Sequence, residues 1–526
     1  MGMKNRVYNS YQSRVSNSLR NMATSFAGYF LTTVISYISR IFFVRCLSAE
    51  YLGVNGLFSS ILSMLSLAEL GIGSAIGFAL YKPIAENDED KISSLMQFYK
   101  RAYQIIGLTV CAAGLLMLPI IDVVIQNPPD IKENIYFLYL VFLFDTVISY
   151  FFSYKGTLLV AAQKNYVTAL VSYAVTIIQH ILQIVVLITT QEYVPYLLIR
   201  TAGVVINNIL IAHMAEQYFP CIRKKNVAPL DQSEKKTFFI NIKALTVNKL
   251  CTILVNNTDN IVITYLNGLV TTGIASNYTL LSGTLNTLIT QIFSSMTASI
   301  GNLNASDNNE KKHDFFKTLS LSTFWLYSWA AIGVIFVASD LVNLCFGSEY
   351  VLDASIPFII AINMYIAGIN NPVYTFKATM GLFRYGQYLL LFTAVINLIL
   401  DFWLGRIWGL FGIYIATAVA RLATNTWFEP YMLYRHGFHK SVWSYFHTYL
   451  KYFIVFFLAG GLCYFPCELC HFGVIGDILA KVVICSVIPN VIYWVCFHNS
   501  KEFKHMQTLI FQIFKKVIFW LPAKRE

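Results

Sequence analysis

Between Ala244 and Leu266 the chain carries Asn248, Lys249, Thr252, Asn256, Asn257, Asp259, Asn260 and Thr264. The stretch is long enough to cross a bilayer at about 1.5 Å per residue. Advanced by about 100° per residue, most of these groups share an arc about 160° wide. Leu250, Leu254, Val255, Ile261 and Val262 take the other side, with Ile253 and Thr258 out of place. Amides and hydroxyls donate and accept hydrogen bonds. A lysine holds an anion, and a carboxylate can partner a cation, accept sugar hydroxyls or carry a proton. Such a stripe cannot face lipid, because an unsatisfied polar group in hydrocarbon costs several kcal/mol. It is expected to form one wall of a hydrophilic cavity inside a membrane transporter.

Isolated charges in other apolar runs extend the set. Arg421 lies mid-run, where a lone charge costs roughly 2.5–3.5 kcal/mol on insertion scales. Its guanidinium is always charged and can grip a phosphate through two parallel hydrogen bonds. The competing reading is an ion pair with an acid on a neighbouring helix. Arg40, near the end of the first run, and Arg200, inside the sixth, are cations of the same kind. Glu69 and Asp145 lie mid-run in the second and fourth runs, as counter-ions for those arginines or as proton carriers. Lys249 shares the face of Asp259 but sits ten residues away, about 15 Å along the axis, so the two cannot pair. It either serves the cavity or snorkels to the interface. Lys481 is either structural or a contact for a phosphate held at the side. The candidate binding set is therefore Arg40, Arg200, Lys249, Asn256, Asp259, Asn260 and Arg421, with Glu69 and Asp145 as counter-ions or coupling groups.

The elements that position these groups must be membrane helices. Of 526 residues, 56% are hydrophobic and 12% charged, whereas a soluble domain carries about 25% charged residues. Abundant Phe, Tyr and Trp suit two interfacial belts. Cys467-Glu-Leu-Cys470, with Cys463 and His471 nearby, lacks a second ligand pair at zinc spacing and a βαβ context. These cysteines read as small apolar fillers, and neither metal nor cofactor is expected. Asn21 to Val44 is too long for the core of a cleavable signal and reads as the first permanent span.

Apolar runs recur near 21–44, 53–81, 102–125, 135–154, 167–189, 194–216, 244–266, 273–300, 318–340, 353–375, 387–405, 409–433, 452–468 and 474–497. With the loops between them taken alternately, one set, including both termini, holds 30 of the 38 Lys and Arg residues. The other set holds only Arg45, Lys132 and Arg406. Basic loops stay in the cytoplasm, so both termini are expected there. The net charge of +11 then needs no nucleic acid.

The polar link 217–243, with Arg223-Lys224-Lys225 and Lys235-Lys236, follows six helices and precedes eight. The expected architecture is an all-α integral membrane protein of about fourteen transmembrane helices, two six-helix bundles plus two extra C-terminal helices. The N-lobe would be 1–216 (helices 1–6), with a cytoplasmic linker at 217–243 and a C-lobe at 244–433 (helices 7–12). Helices 13–14 and a basic cytoplasmic tail would fill 434–526. An internal echo agrees: Arg40 precedes Gly53 by 13 residues and Asp259 precedes Gly273 by 14, each pair placing a charge, a short hairpin and then a helix rich in small residues. Pro119, Pro357, Pro489 and Asn370-Asn371-Pro372 mark places where helices can bend.

Two runs carry a family resemblance. Ser39-Arg-Ile-Phe-Phe-Val-Arg-Cys-Leu-Ser-Ala-Glu-Tyr-Leu-Gly-Val-Asn-Gly-Leu57, continuing to Leu67-Ala-Glu-Leu-Gly-Ile-Gly-Ser-Ala-Ile76, is similar to the opening helical hairpin of one exporter branch. It is the polysaccharide-export branch of the multidrug/oligosaccharidyl-lipid/polysaccharide exporter superfamily. Thr258-Asp-Asn-Ile-Val-Ile-Thr-Tyr265, through Gly273 and Tyr278, resembles the seventh and eighth helices of that branch. The resemblance implies a flippase for O-antigen or capsule repeat units. It would carry undecaprenyl-pyrophosphate-linked sugars outward across the bacterial inner membrane by alternating access around a cationic cavity. The implied partners are that lipid-linked oligosaccharide, membrane lipids, and the glycosyltransferases and glycan polymerase of the pathway.

Other functions compete. A multidrug/cation antiporter of the same superfamily would want acids to dominate the cavity, whereas Arg40, Arg200, Lys249 and Arg421 outnumber Glu69, Asp145 and Asp259. A lipid II flippase would need the same cationic interior. A membrane glycosyltransferase or polymerase would show a sizeable outer loop, a glycine-rich phosphate loop or His/Asp/Glu metal spacing, and the chain shows none of these.

Overall fold

The computed structural model describes residues 28–65, 72–126, 129–224, 232–294, 309–382 and 385–518, with a few single positions between them. Residues 72, 74, 75, 78, 232–256, 387, 388, 509, 510 and 512–518 are described by backbone alone. Among the described residues every regular element is a helix. In chain order these are α1 Gly28–Cys46, α2 Ala49–Leu65, α3 Ile72–Glu86, α4 Glu89–Leu116 and α5 Leu118–Val124. Then come α6 Ile135–Ala161, α7 Asn165–Thr190, α8 Tyr193–Tyr218 and α9 Gln232–Ser294. The remainder are α10 Asn309–Phe346, α11 Ser355–Ile369, α12 Asn371–Thr379, α13 Gln387–Ala423, α14 Asn425–Leu433, α15 Trp443–Glu468, α16 Val474–Phe497 and α17 Lys501–Ile518.

In their described residues the apolar runs lie largely on helices. By length and composition, nine described helices can cross a membrane, or ten when α4 and α5, bent by 49° at their junction, count as one span. The chain is a multi-pass membrane protein. Large apolar side chains such as Leu116, Ile178, Ile399, Leu479 and Val483 lie exposed along these helices, as a lipid-facing surface requires.

Two helices hide a reversal. In α9, Gly268 has φ 87° and ψ 168°, and in α13, Gly409 has φ 58° and ψ −135°. Both lie in the positive-φ region that glycine enters without a Cβ penalty. Thr264 and Thr272 hydroxyls meet at 2.9 Å, although an unbroken helix would separate residues eight apart by about 12 Å. Likewise a Cβ on Gly412 would lie 2.0 Å from the Leu404 carbonyl oxygen. Each helix is therefore a hairpin turning on one glycine, and the link expected between 266 and 273 is much shorter than its residue count suggested. Of the prolines, Pro119 sits in the first turn of α5 just past the 49° bend, and Pro372 starts α12 after the break at Asn370. Pro357 lies in the first turn of α11, where a proline removes no helical hydrogen bond.

The chain divides into two compact units, Met1–Ser276 and Asn277–Glu526. This division falls later than the polar link at 217–243. In the first unit α4, α6 and α8 pack in succession, with α3 and α7 against them. Their core includes Leu80, Ile92, Tyr99, Tyr103, Val110 and Leu158. Two glycines let α2 cross the second arm of α9 closely. A Cβ on Gly53 would sit 2.1 Å from the Leu269 carbonyl oxygen, and one on Gly273 would sit 2.3 Å from that of Ala49. The two members of the sequence echo thus meet at one backbone crossing. Gly53→Ala is expected to cost about 1–3 kcal/mol, read as a lower unfolding temperature in detergent. Gly283→Ala, where a Cβ meets nothing within 4 Å, should not lower that temperature, since alanine is the better helix former.

In the second unit α10 packs against α11, α16 and α17, α13 against α11, and α15 against α16. Stacked rings join them: Phe324 on Tyr452 at 4.4 Å and Tyr365 on Phe456 at 4.5 Å. Cys463, Cys467 and Cys485 are buried in α15 and α16, with Cys467 and Cys485 sulfurs 4.0 Å apart. Lys481 is held by Asp340 of α10 at 2.6 Å.

Candidate functional site

In the first unit Asp145 of α6 and Arg200 of α8 meet beside Asn55 of α2. Asp145 is 5% exposed and lies 3.7 Å from Arg200. The Arg200 guanidinium covers the Phe142 ring at 4.0 Å and donates to Asn55 Oδ1 at 3.4 Å. Asn55 Oδ1 also accepts from the buried Tyr193 hydroxyl at 3.2 Å, and Tyr193 packs on Tyr51 and Tyr196. The Tyr51 hydroxyl donates to Glu133. Arginine suits this position because its weakly hydrated plane can lie on a ring while its fork binds carboxylate and amide together.

Arg40, on α1, donates to the Ser276 hydroxyl. Asn260, on the first arm of α9, donates to Ser60 of α2 at 3.0 Å, so part of the polar stripe faces protein. Thr264 is buried, while Asn257, Asp259 and Asn260 are partly buried. The structure brings Arg200 and Asp145 together. Arg40's described bond is to a serine hydroxyl. Glu69 lies outside the described residues, as do the side chains of Lys249 and Asn256.

In the second unit Arg421 is partly buried near the end of α13, where its Nη1 donates to the Asn363 carbonyl oxygen at 3.3 Å. Asn363 in turn donates to the Tyr414 carbonyl oxygen at 2.7 Å. A second buried charge pair was not foreseen. Lys377, which sequence placed in a basic loop, ends α12 with 8% exposure and pairs with Glu429 of α14, 2% exposed. Its ammonium also donates to the Tyr385 carbonyl oxygen at 2.7 Å. Tyr374 lies within electrostatic range of both Glu429 and Arg421, which places the three charges in one neighbourhood.

Two further polar groups escaped the sequence reading. Asp401 and Asn397 have no exposure, and Asn397 donates to Asp401 at 2.7 Å inside the α13 hairpin. Thr393 donates there to Thr424 at 2.8 Å. Tyr327 links Asn286 and Asn371, each at 2.8 Å, with Thr290 at 3.2 Å. A signal existed for both acids, since Asp401 is the one acid of the run 387–405 and Glu429 the one acid of 409–433. Lys377 gave none, because the apolar run ends just before it. Among the described residues no group of three or more His, Cys, Asp or Glu side chains is placed to hold a metal.

Chemically, each unit offers fixed arginine inside its membrane helices together with amide and hydroxyl groups. These are groups that can bind an anion and exchange hydrogen bonds with a polar head. Fold and polar interior together define a multi-pass helical membrane protein that keeps charged and polar groups inside its helix bundles. The sequence profile described as polysaccharide biosynthesis protein matches residues 18–300, more than half of the chain, and the chain belongs to that family. The solved structures that share its fold are described as transporters and a flippase.

Solved structures share the fold at low sequence identity. The lipid II flippase MurJ, in an inward closed conformation, matches with a TM-score of 0.62 at 15% identity, over 90% of this chain and 98% of that one. An inward-facing multidrug resistance MATE family transporter of the MOP superfamily matches with a TM-score of 0.59 at 15% identity, over 79% of this chain and 99% of that one. A MOP superfamily transporter from Pyrococcus furiosus, whose description notes a binding pocket of reverse polarity, matches with a TM-score of 0.53 at 14% identity, over 81% and 96%. No curated protein matches the chain in sequence.

Proposed function

We propose that this protein moves undecaprenyl-pyrophosphate-linked oligosaccharide repeat units from the cytoplasmic to the outer leaflet of a bacterial inner membrane by alternating access. The observation that carries the reading is arginine held within the membrane helices of each unit: Arg40 and Arg200 in the first, Arg421 in the second. A diphosphate stripped of water needs cations, and a glycan head needs donors and acceptors. The stripe from Asn256 to Thr264 and the Tyr327 network supply the latter. Lys249 adds a cation, and Glu69 and Asp145 act as counter-ions or coupling groups. In this reading the N-lobe of 1–216 and the C-lobe of 244–433 alternate, with both termini cytoplasmic. Glycosyltransferases supply the repeat unit and a glycan polymerase consumes it.

The membrane potential favours this direction. With a negative interior, moving one anionic charge outward gains about 2.3 kcal/mol per 100 mV, and a diphosphate gains roughly twice that across the full field. Protein in vesicles of set potential is expected to flip a fluorescent undecaprenyl-pyrophosphate glycan faster as the donor side is made negative. A rate that ignores the potential but follows a pH or sodium gradient would replace this drive with antiport. A second reading, lipid II as cargo, draws on the fold shared with MurJ. The same assay with lipid II as competitor separates the two.

A further inference from the structure

A pocket in the second unit is lined by none of the arginines assigned to the cargo. It opens where α10 and α15 begin and α16 ends, beside the start of α17, and encloses about 210 Å³. Its wall carries Lys317, Lys451, Tyr445, Tyr449, Tyr452 and Glu502. The Lys451 ammonium sits over the Phe497 ring at 4.7 Å, and Tyr445 and Tyr449 rings lie 6.0 Å apart.

Three observations specify what such a pocket binds. The Tyr449 hydroxyl is enclosed and has no hydrogen-bond partner among the described residues, and the same holds for Tyr365. Tyr365 is within electrostatic range of Tyr445, Tyr449, Tyr452 and Tyr493, so these phenols form one cluster. Buried hydroxyls without a partner are uncommon, and the Tyr449 O–H can donate to an acceptor oxygen. Second, the charge is cationic, with two lysines on the wall against one partly exposed carboxylate. The described residues of the three segments at this end, 309–317, 434–451 and 498–508, carry eight Lys and Arg residues. Third, the volume falls below the roughly 300–1,000 Å³ of pockets that enclose drug-sized ligands, which excludes an oligosaccharide and suits a small head group. Beside it on α15, Leu450 and Ile454 are 55% and 58% exposed, so the pocket borders a lipid-facing surface.

We propose that this pocket binds a phosphate ester, whose oxygens accept from Tyr449 and pair with Lys317 and Lys451, as a site separate from the transported cargo. The same chemistry is presented by the head group of an anionic phospholipid and by a soluble phosphate.

The test uses the full-length protein in nanodiscs of phosphatidylcholine doped with phosphatidylglycerol, with bound lipid counted by native mass spectrometry. Wild type is expected to retain phosphatidylglycerol over phosphatidylcholine, and the Lys317→Gln/Lys451→Gln variant to lose about tenfold in retention. Glu502→Gln is expected to raise retention by removing the opposing charge. It keeps the proposal testable if the double variant fails to fold. Tyr449→Phe is expected to weaken retention without changing size-exclusion behaviour. Competition by millimolar inorganic phosphate would assign the site to a soluble phosphate, and its failure to compete would assign it to the lipid. Equal retention of both lipids together with no phosphate competition, or a folded double variant with unchanged retention, or Glu502→Gln that leaves retention unchanged or lowers it, overturns the proposal. None of these outcomes bears on whether the glycan is flipped.

Discussion

Lys377→Met is expected to destabilise the protein by about 3–5 kcal/mol, because it leaves Glu429 buried and charged with no cation beside it. Lys377 is 8% exposed and Glu429 2%, so neither can recover its hydration without moving helices. The ammonium also satisfies the Tyr385 carbonyl, which would lose its donor. Glu429→Gln should cost less than the lysine change, since an amide keeps a hydrogen bond to Lys377 and carries no charge. The double replacement Lys377→Met with Glu429→Leu is expected to regain most of the loss. A buried pair exchanged for apolar groups of similar size is often neutral or stabilising. Thermal unfolding in detergent, followed by tryptophan fluorescence, measures all three. A single Lys377 variant as stable as the parent would show that the pair is solvated in the membrane-embedded protein.

Arg421→Ala is expected to lower flipping of a lipid-linked glycan by tenfold to about a hundredfold, the equivalent of one charge-assisted hydrogen bond. Arg421 donates to the Asn363 carbonyl oxygen at 3.3 Å, and its guanidinium is a fork of five donors that suits a phosphate oxygen pair. Arg421→Lys should recover part of the rate, keeping the charge and losing the bidentate geometry. Asp259→Ala is expected to lower the rate as well, through the polar wall of α9. Transport measured in vesicles, alongside insertion and unfolding temperature, separates a lost contact to cargo from a lost structural bond. If both alanine variants are folded and flip at the parental rate, these two residues do not hold the cargo.

The membrane class was legible because it follows from composition: long apolar runs must become helices that satisfy their own backbone in lipid. The placement of each run needed only local hydropathy. A lone Arg in an apolar run likewise announces itself, whatever its partner. Lys377 illustrates the limit, since beside the end of an apolar run it looks like any loop lysine. Only the approach of α12 to α14 buries it against Glu429. Asp145 could be weighed as a counter-ion for either Arg40 or Arg200, and hydropathy cannot choose between partners on different helices.

What the sequence determined by itself was therefore everything set by transfer between water and lipid: an all-helical membrane chain, the approximate position of each helix, and the charges kept inside at a cost. What only the tertiary structure decided was pairing. It joined Arg200 to Asp145 and Lys377 to Glu429, turned α9 and α13 on single glycines, and brought Gly53 against the Gly273 segment. The physical reason is range. Hydropathy acts residue by residue along the chain, whereas an ion pair or a glycine crossing depends on a few ångströms between segments that can be hundreds of residues apart.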